Sequence, residues 1–261
     1  MLFRIVGFIA ICSLAAACHH AAQVREEAEV RLGGAHERWR LEWRSRTKEV
    51  CMPESDGFVT CPCTGFAYGE MGRAALVRTR ANGQQEELPL GPLFADEENP
   101  AESAMAIFQR WPVADSDFAI NDSLERVRRI ESRTPVSLMS LADYDHDGEA
   151  TEFLLQVGTA PCGKREAMLV GVSASQPKLH AFTSVAHPST PLVLEDYVWK
   201  SSLLAGASPM PVLEIACGDH GAETRTEVRL RATPAGLDGE RLTYECRSDG
   251  SAGKLLTSEA L

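Results

Sequence analysis

Asp143, Asp145 and Asp147 fall on alternate residues of the stretch Leu141-Ala-Asp-Tyr-Asp-His-Asp-Gly-Glu-Ala-Thr-Glu-Phe153, and Gly148 comes directly after them. Alternate residues share one side of an extended chain, so folding brings three anionic groups together. Their repulsion calls for a cation between them. Calcium suits such a set, because it takes six to eight hard oxygen ligands in irregular geometry. Gly148 supplies the sharp turn that wraps the backbone round the ion. The expected donors are the Asp143, Asp145 and Asp147 carboxylates and the Glu149 carbonyl, with Glu152 closing the set directly or through water. A solvated acidic turn that binds nothing is the competing reading.

The D-x-D-x-D-G run resembles the loops of EF-hands, dockerin-type modules and FG-GAP/VCBS-type β repeats. An EF-hand needs a bidentate glutamate at the twelfth loop position, which here is Leu154. The loop leads into Glu152-Phe-Leu-Leu-Gln-Val157, whose alternation predicts a strand. The likeness is therefore to the FG-GAP/VCBS type, over residues 138–185 only. It departs from the pattern at the ninth position, where Thr151 stands and the acid comes one residue later as Glu152. Family propellers repeat such loops many times, whereas this chain has one acidic loop and no repeat of blade length.

The elements that must hold the loop begin after a targeting segment. Arg4, the apolar run Ile5–Leu14 and Ala15-Ala16-Ala17 read as a signal peptide over residues 1–17. Cys18 then resembles a lipobox cysteine, with Leu14 one place too distant and Ala15 in its slot; cleaved secretion without a lipid is the alternative. Either route places the mature protein outside a bacterial cytoplasm, in the periplasm, at the cell surface or secreted, with a lipid anchor as its one membrane contact. The full chain resembles bacterial exported proteins and lipoproteins, a likeness that supplies no mechanism. Cleavage removes only Arg4 among the charged residues, so the net charge moves from −11 to −12. So acidic a chain is a poor partner for nucleic acid.

Six cysteines remain after Cys12 and Cys18: Cys51, Cys61, Cys63, Cys162, Cys217 and Cys246. In an oxidising compartment they read as disulfides. Leu213, Ile215 and Cys217 share a strand face, as do Leu242, Tyr244 and Cys246, so Cys217–Cys246 is the expected bridge, with both thiols facing a core. Cys51 then pairs with Cys61 or Cys63, leaving the other for Cys162. The Cys61-Pro-Cys63 spacing is not that of structural zinc.

Residues 18–37 are polar and Ala/Glu-rich and read as a tether or marginal helix. A single β-rich domain is expected over 38–261, with a possible sub-boundary near 112–135. Strands are predicted at Trp39–Trp43, Ala74–Arg78, Glu152–Val157, Ala167–Val172, Leu179–Val185, Val212–Cys217, Thr224–Arg231 and Arg241–Cys246, with Asp238-Gly239 separating the last two. A turn at Asn82-Gly83 returns as a hairpin arm ending at Leu88-Pro-Leu90, a short helix is expected over Ala104–Trp111, and helical periodicity is suggested at Leu124, Val127 and Ile130. Short strands between Gly/Pro turns imply a mainly β fold, an antiparallel sandwich or a partial propeller-like sheet assembly with short helices and disulfides.

No G-x-S-x-G, H-E-x-x-H or Gly-rich phosphate loop occurs. Asp219-His220, with Glu223 nearby and His187 elsewhere, offers a general-base pair without a recognisable nucleophile, and a polar turn is the plainer reading. His180 and His187 read as surface or core residues, and His146 as a solvent-facing loop position. Trp39, Trp43, Trp111 and Trp199 suit a core better than a sugar platform. The expected function is a non-enzymatic, calcium-stabilised module that binds a protein or glycan; the alternative is a hydrolase or carbohydrate-active enzyme with dispersed catalytic residues. The mature N-terminus is expected at Cys18, and intact mass of the native protein checks it. Retained Met1 contradicts export; an unmodified Cys18 contradicts only the anchor.

Overall fold

The computed structural model describes residues 22–52, 63–94, 105–117, 119–160, 164–204 and 210–261. Cys12, Cys18, Cys61 and Cys162 lie outside the described residues, as do the signal segment and the acidic, proline-bearing residues 95–104, whose composition reads as a loop. The described strands form four small antiparallel sheets. The first joins β1 (Gln23–Leu32), β2 (Ala35–Trp43), β5 (Ala74–Thr79) and β6 (Gln85–Pro89). A second joins β3 (Lys48–Val50), β4 (Gly69–Gly72) and β7 (Ala106–Gln109). In the third, β8 (Glu152–Ala160) and β9 (Lys164–Gly171) form a hairpin flanked by β10 (His180–Ala181) and β11 (Val193–Glu195). The fourth is the meander β12 (Val212–Ile215), β13 (Thr224–Thr233), β14 (Gly236–Cys246) and β15 (Ala252–Ala260). Two short α-helices occur among the described residues: α1 (Ser123–Glu131) and α2 (Asp196–Trp199), the latter running into a π-turn at Lys200–Leu204.

The β8–β9 hairpin is apolar on both faces, and the reason is its place between two cores. Phe153 opposite Val170 and Leu155 opposite Met168 face a cluster that holds Trp39, Leu41 and Trp43 of β2 and Leu76 of β5. Leu154, paired with Leu169, and Ala167 face the other way, onto Trp199 and Val198 of α2 and Val228 and Leu230 of β13. A third, smaller cluster packs Ile130 of α1 against Tyr68. Trp39, Trp43 and Trp199 are fully buried, so they are core residues.

Several expectations are corrected. The described part of the expected tether, residues 22–37, is not a tether: from Gln23 it forms β1, which pairs with β2 along its length. Ala28, Val30 and Leu32 alternate as a strand should, but Glu26 ends the apolar face beside a bulge, and Val24 beyond it is exposed. Glu26 is there to accept hydrogen bonds, its carboxylate taking the Leu138 amide at 2.6 Å, the Met139 amide at 3.2 Å and the Ser137 hydroxyl at 2.8 Å. The short helix expected within 104–111 is instead β7, because its four residues are claimed by β4. Val136–Leu141, which the regular pattern of this half of the chain suggests as a strand leading into the acidic loop, holds no regular strand, and the next residue, Ala142, meets β8 by an isolated bridge to Glu152. Asp238 and Gly239 lie within β14 rather than between strands; the reversal comes after Thr233. The predicted strand at Leu179–Val185 shrinks to β10, and β15 is a strand with no clear counterpart in the pattern.

Cys217 and Cys246 are bonded, with Cα atoms 5.6 Å apart, and Cys51 bonds Cys63, with Cα atoms 4.9 Å apart. The Cys217–Cys246 bridge sits at the half-buried end of its sheet rather than in a core. Residues 112–135 carry α1 and a buried anchor. Asp122 caps the helix by accepting the Leu124 and Glu125 amides. Asp117, with no exposed surface, accepts the Ala114 amide at 2.7 Å and two bonds from the Arg133 guanidinium at 2.5 and 2.8 Å. The Arg133 bonds hold the Asp117 carboxyl below its ordinary range despite burial. A lowered folded-state value stabilises the fold above the unfolded value of about 3.9 and is lost as pH falls through the folded value. Asp117→Asn is therefore expected to lower stability at neutral pH and to flatten the acid limb below pH ~4, as urea titrations at stepped pH will show.

Candidate metal site

The acidic loop is closed at its neck by the bridge between Ala142 and Glu152, whose amides and carbonyls exchange bonds of 2.8 and 3.2 Å. Within it each aspartate accepts a backbone amide further on: Asp143 Oδ2 from Gly148 at 3.2 Å, Asp145 Oδ1 from Asp147 at 3.1 Å and Asp147 Oδ1 from Glu149 at 2.9 Å. These side-chain turns coil the chain, and two residues in the left-handed region complete the reversal, His146 at φ 60° and Gly148 at φ 94°. His146 is exposed there.

The loop is pinned to its surroundings by two of the five predicted ligands. Asp147 Oδ2 accepts the Ala174 amide at 2.8 Å, fixing the loop to the turn after β9. Glu149 Oε1 accepts the Gly33 amide at 3.0 Å, fixing it to the β1–β2 turn. The end of β9 comes very close to the loop's exit. A Cβ on Gly171 would stand 2.2 Å from the Thr151 carbonyl oxygen, so only glycine fits there.

Asp143, Asp145 and Glu152 are the carboxylates that converge, each with an oxygen within 4.8 Å of the others. Two oxygens at calcium distance on opposite sides of one ion lie about 5 Å apart, so the three fit around a single centre. Glu152 is fully buried. Its Oε2 accepts the Tyr144 amide at 2.8 Å, and its Oε1 lies 2.5 Å from the Thr151 hydroxyl, which also stands 3.1 Å from the Val172 carbonyl. Thr151 thus takes no place in the carboxylate cluster but orients the acid beside it. Asp143 Oδ1 is buried and has no hydrogen-bond partner. A buried acceptor left unsatisfied costs about 1–3 kcal/mol.

Burial, reinforced by the Asp147 and Asp143 charges, pushes the Asp145 carboxyl up to about 6. Burial likewise pushes Glu152 up to about 8, with Asp145 and Asp147 adding to the shift. The donors are all hard oxygens, which suit calcium or magnesium and not a thiolate-seeking metal.

Neither a family model, nor a curated protein, nor a solved structure matches this chain.

The other candidates are engaged elsewhere. His180 Nδ1 lies 2.8 Å from the Lys178 carbonyl and its ring stacks on Phe182 with centroids 4.4 Å apart. His187 Nε2 lies 3.3 Å from the Ala260 carbonyl, and Asp219 pairs with Lys164 at 3.5 Å. The sequence pointed to Glu152 because it stands at the loop's exit; it did not point to the Asp143 orphan oxygen, since hydrogen-bond satisfaction is decided by neighbours distant in the chain. Gly171→Ala is expected to destabilise the protein by about 1–3 kcal/mol, since backbone must shift to admit the methyl group; denaturant unfolding measures it.

Proposed function

We propose that this chain is an exported, lipid-anchored β-module that carries one calcium ion in the Asp143–Glu152 loop and binds a protein or glycan partner without catalysing a reaction. The observation that carries this reading is the buried, unpartnered Asp143 Oδ1 beside the Asp145 and Glu152 oxygens. Asp143, Asp145 and Glu152 would hold the ion, and the Asp147 carboxylate and Glu149 carbonyl are the further candidates. When bound, the ion supplies positive charge and completes the orphan oxygen's coordination. The FG-GAP/VCBS likeness adds support through a loop that passes directly into a strand, β8. No helix among the described residues is long and apolar enough to cross a membrane.

The loop's position sets the role of the ion. Residues 142–152 feed the strand that separates the two large cores, and Asp147 and Glu149 tie the same loop to the turns after β9 and β1. An ion that relieves the carboxylate repulsion therefore steadies several elements at once, which is the work of a structural site.

Melting curves in millimolar calcium and in chelator test the reading, since extracellular modules bind calcium at roughly 10⁻⁴–10⁻³ M. Wild type is expected to gain about 2.7 kcal/mol when free calcium is a hundredfold above the dissociation constant, and Asp145→Ala to gain nothing. Glu152→Gln gives a sign test. Without calcium it should raise the midpoint, because a neutral amide is cheaper to bury than a carboxylate and Thr151 can turn its hydroxyl toward Val172. With calcium it should lower the midpoint, because a ligand is lost. Calcium-independent midpoints for wild type contradict the ion.

A further inference from the structure

A cleft of about 150 Å³ opens where β7, the 136–140 segment, the β8–β9 hairpin and α2 meet. Its walls mix apolar side chains, Phe66, Phe108 and Leu154 among them, with polar ones such as Ser140 and Gln156. Charge gathers among its polar lining residues, where Arg165 and Lys200 stand with one carboxylate, Asp196. Lys200 is already neutralised by Asp196 at 2.8 Å, one helical turn away. Arg165 is not. Its one hydrogen bond is to the side-chain oxygen of Gln109 at 3.3 Å, and no carboxylate pairs with it among the described residues. Gln109 is itself 7% exposed, so the group that holds the guanidinium is fixed in the wall.

In a chain of net charge −11, an arginine with no carboxylate partner among the described residues, set beside apolar walls of a cleft, is a specific feature. Its remaining donors form a planar fork that matches a carboxylate. The volume admits a molecule of small-acid size and not a folded domain. We propose that this cleft binds a small organic anion, with its carboxylate on Arg165 and its apolar body against Phe66, Phe108 and Leu154. This extends the binding-module reading by giving the chain a ligand class, and it does not depend on the calcium ion, although Tyr144 of the acidic loop lines the same cleft.

Benzoate is the probe, with benzamide as its neutral counterpart of equal shape. Calorimetric and NMR titrations of the full chain should show saturable benzoate binding, with shifts at Gln109 and Arg165. Benzamide should bind at least about tenfold more weakly, because a hydrogen bond to a charged group is lost. Arg165→Gln should cost a similar factor and Arg165→Lys should recover part of it; Arg165 is exposed, so unchanged melting of these variants will verify their folds. No benzoate binding, equal binding of benzamide, or undiminished binding by Arg165→Gln overturns the proposal. Each titration is run in calcium and in chelator. Benzoate binding to a protein that calcium fails to stabilise defeats the ion reading alone, and calcium stabilisation without benzoate binding defeats the cleft alone.

Discussion

The β8–β9 hairpin packs against a core on each face along its central residues, and that constraint organises the molecule. Phe153 and Leu155 need one core, and Ala167 and Leu169 need another. A hairpin covered on both sides must have its backbone polar groups paired within the sheet or at its ends, because water cannot reach them. The flanking strands β10 and β11 meet part of that need, and the acidic loop meets it where β8 begins. The loop is therefore the root of the central layer rather than a surface ornament. Its anionic side chains are drawn inward by the strand they introduce.

Acidic groups elsewhere on the inner surfaces each have a stated partner, and the contrast gives the loop its meaning. Glu37 and Arg78, 8% and 3% exposed, form a paired bond at 2.6 and 2.9 Å, and Arg78 also donates to the Pro177 carbonyl at 2.7 Å. Burial opposes the ionisation of Glu37, and the bonds from Arg78 and Trp39, with the Arg78 and Arg80 charges, together more than offset it, so its carboxyl stays below the ordinary range. Asp117 has Arg133, and Glu26 has the amides of Leu138 and Met139. Glu152 is as buried as Asp117 but faces carboxylates instead of a guanidinium. Glu37 and Asp117 are each matched by a guanidinium and Glu26 by backbone amides, whereas the acids that crowd Glu152 are themselves anionic.

The long-range ties explain how a chain of small sheets holds together. Arg25 on β1 reaches Glu70 on β4 at 2.5 Å and the carbonyls of Gln109 and Val136 at 3.3 Å, joining the first two sheets to the segment before the loop. Tyr197 and Trp199 of α2 bond carbonyls of β12 and β9 respectively, so one short helix links the third and fourth sheets. Each tie is a single residue inserted between elements far apart in sequence. The meander β12–β15 is held chiefly by local pairing, and its Cys217–Cys246 bridge fixes β12 to β14 across β13.

Alternation in Trp39–Trp43 and Thr224–Arg231, and the short apolar run of Ala74–Arg78, were enough to place β2, β13 and β5, because both are local properties of a strand. The acidic loop and its passage into a strand were legible for the same reason. The sequence could also present Cys217 and Cys246 on matching faces. It misread β1, because the one polar residue on its inner face, Glu26, is satisfied by amides more than a hundred positions away. It misread β7, because four residues carry too little periodicity and only β4 makes them a strand. Among the four expected carboxylate ligands, spacing alone did not distinguish Asp143, Asp145 and Glu152, which converge, from Asp147, whose Oδ2 is taken by the Ala174 amide. Residue type and spacing determined that acidic oxygens would crowd one loop; which of them turn inward was decided by the neighbours that compete for each carboxylate, and those neighbours are assembled only by the tertiary fold.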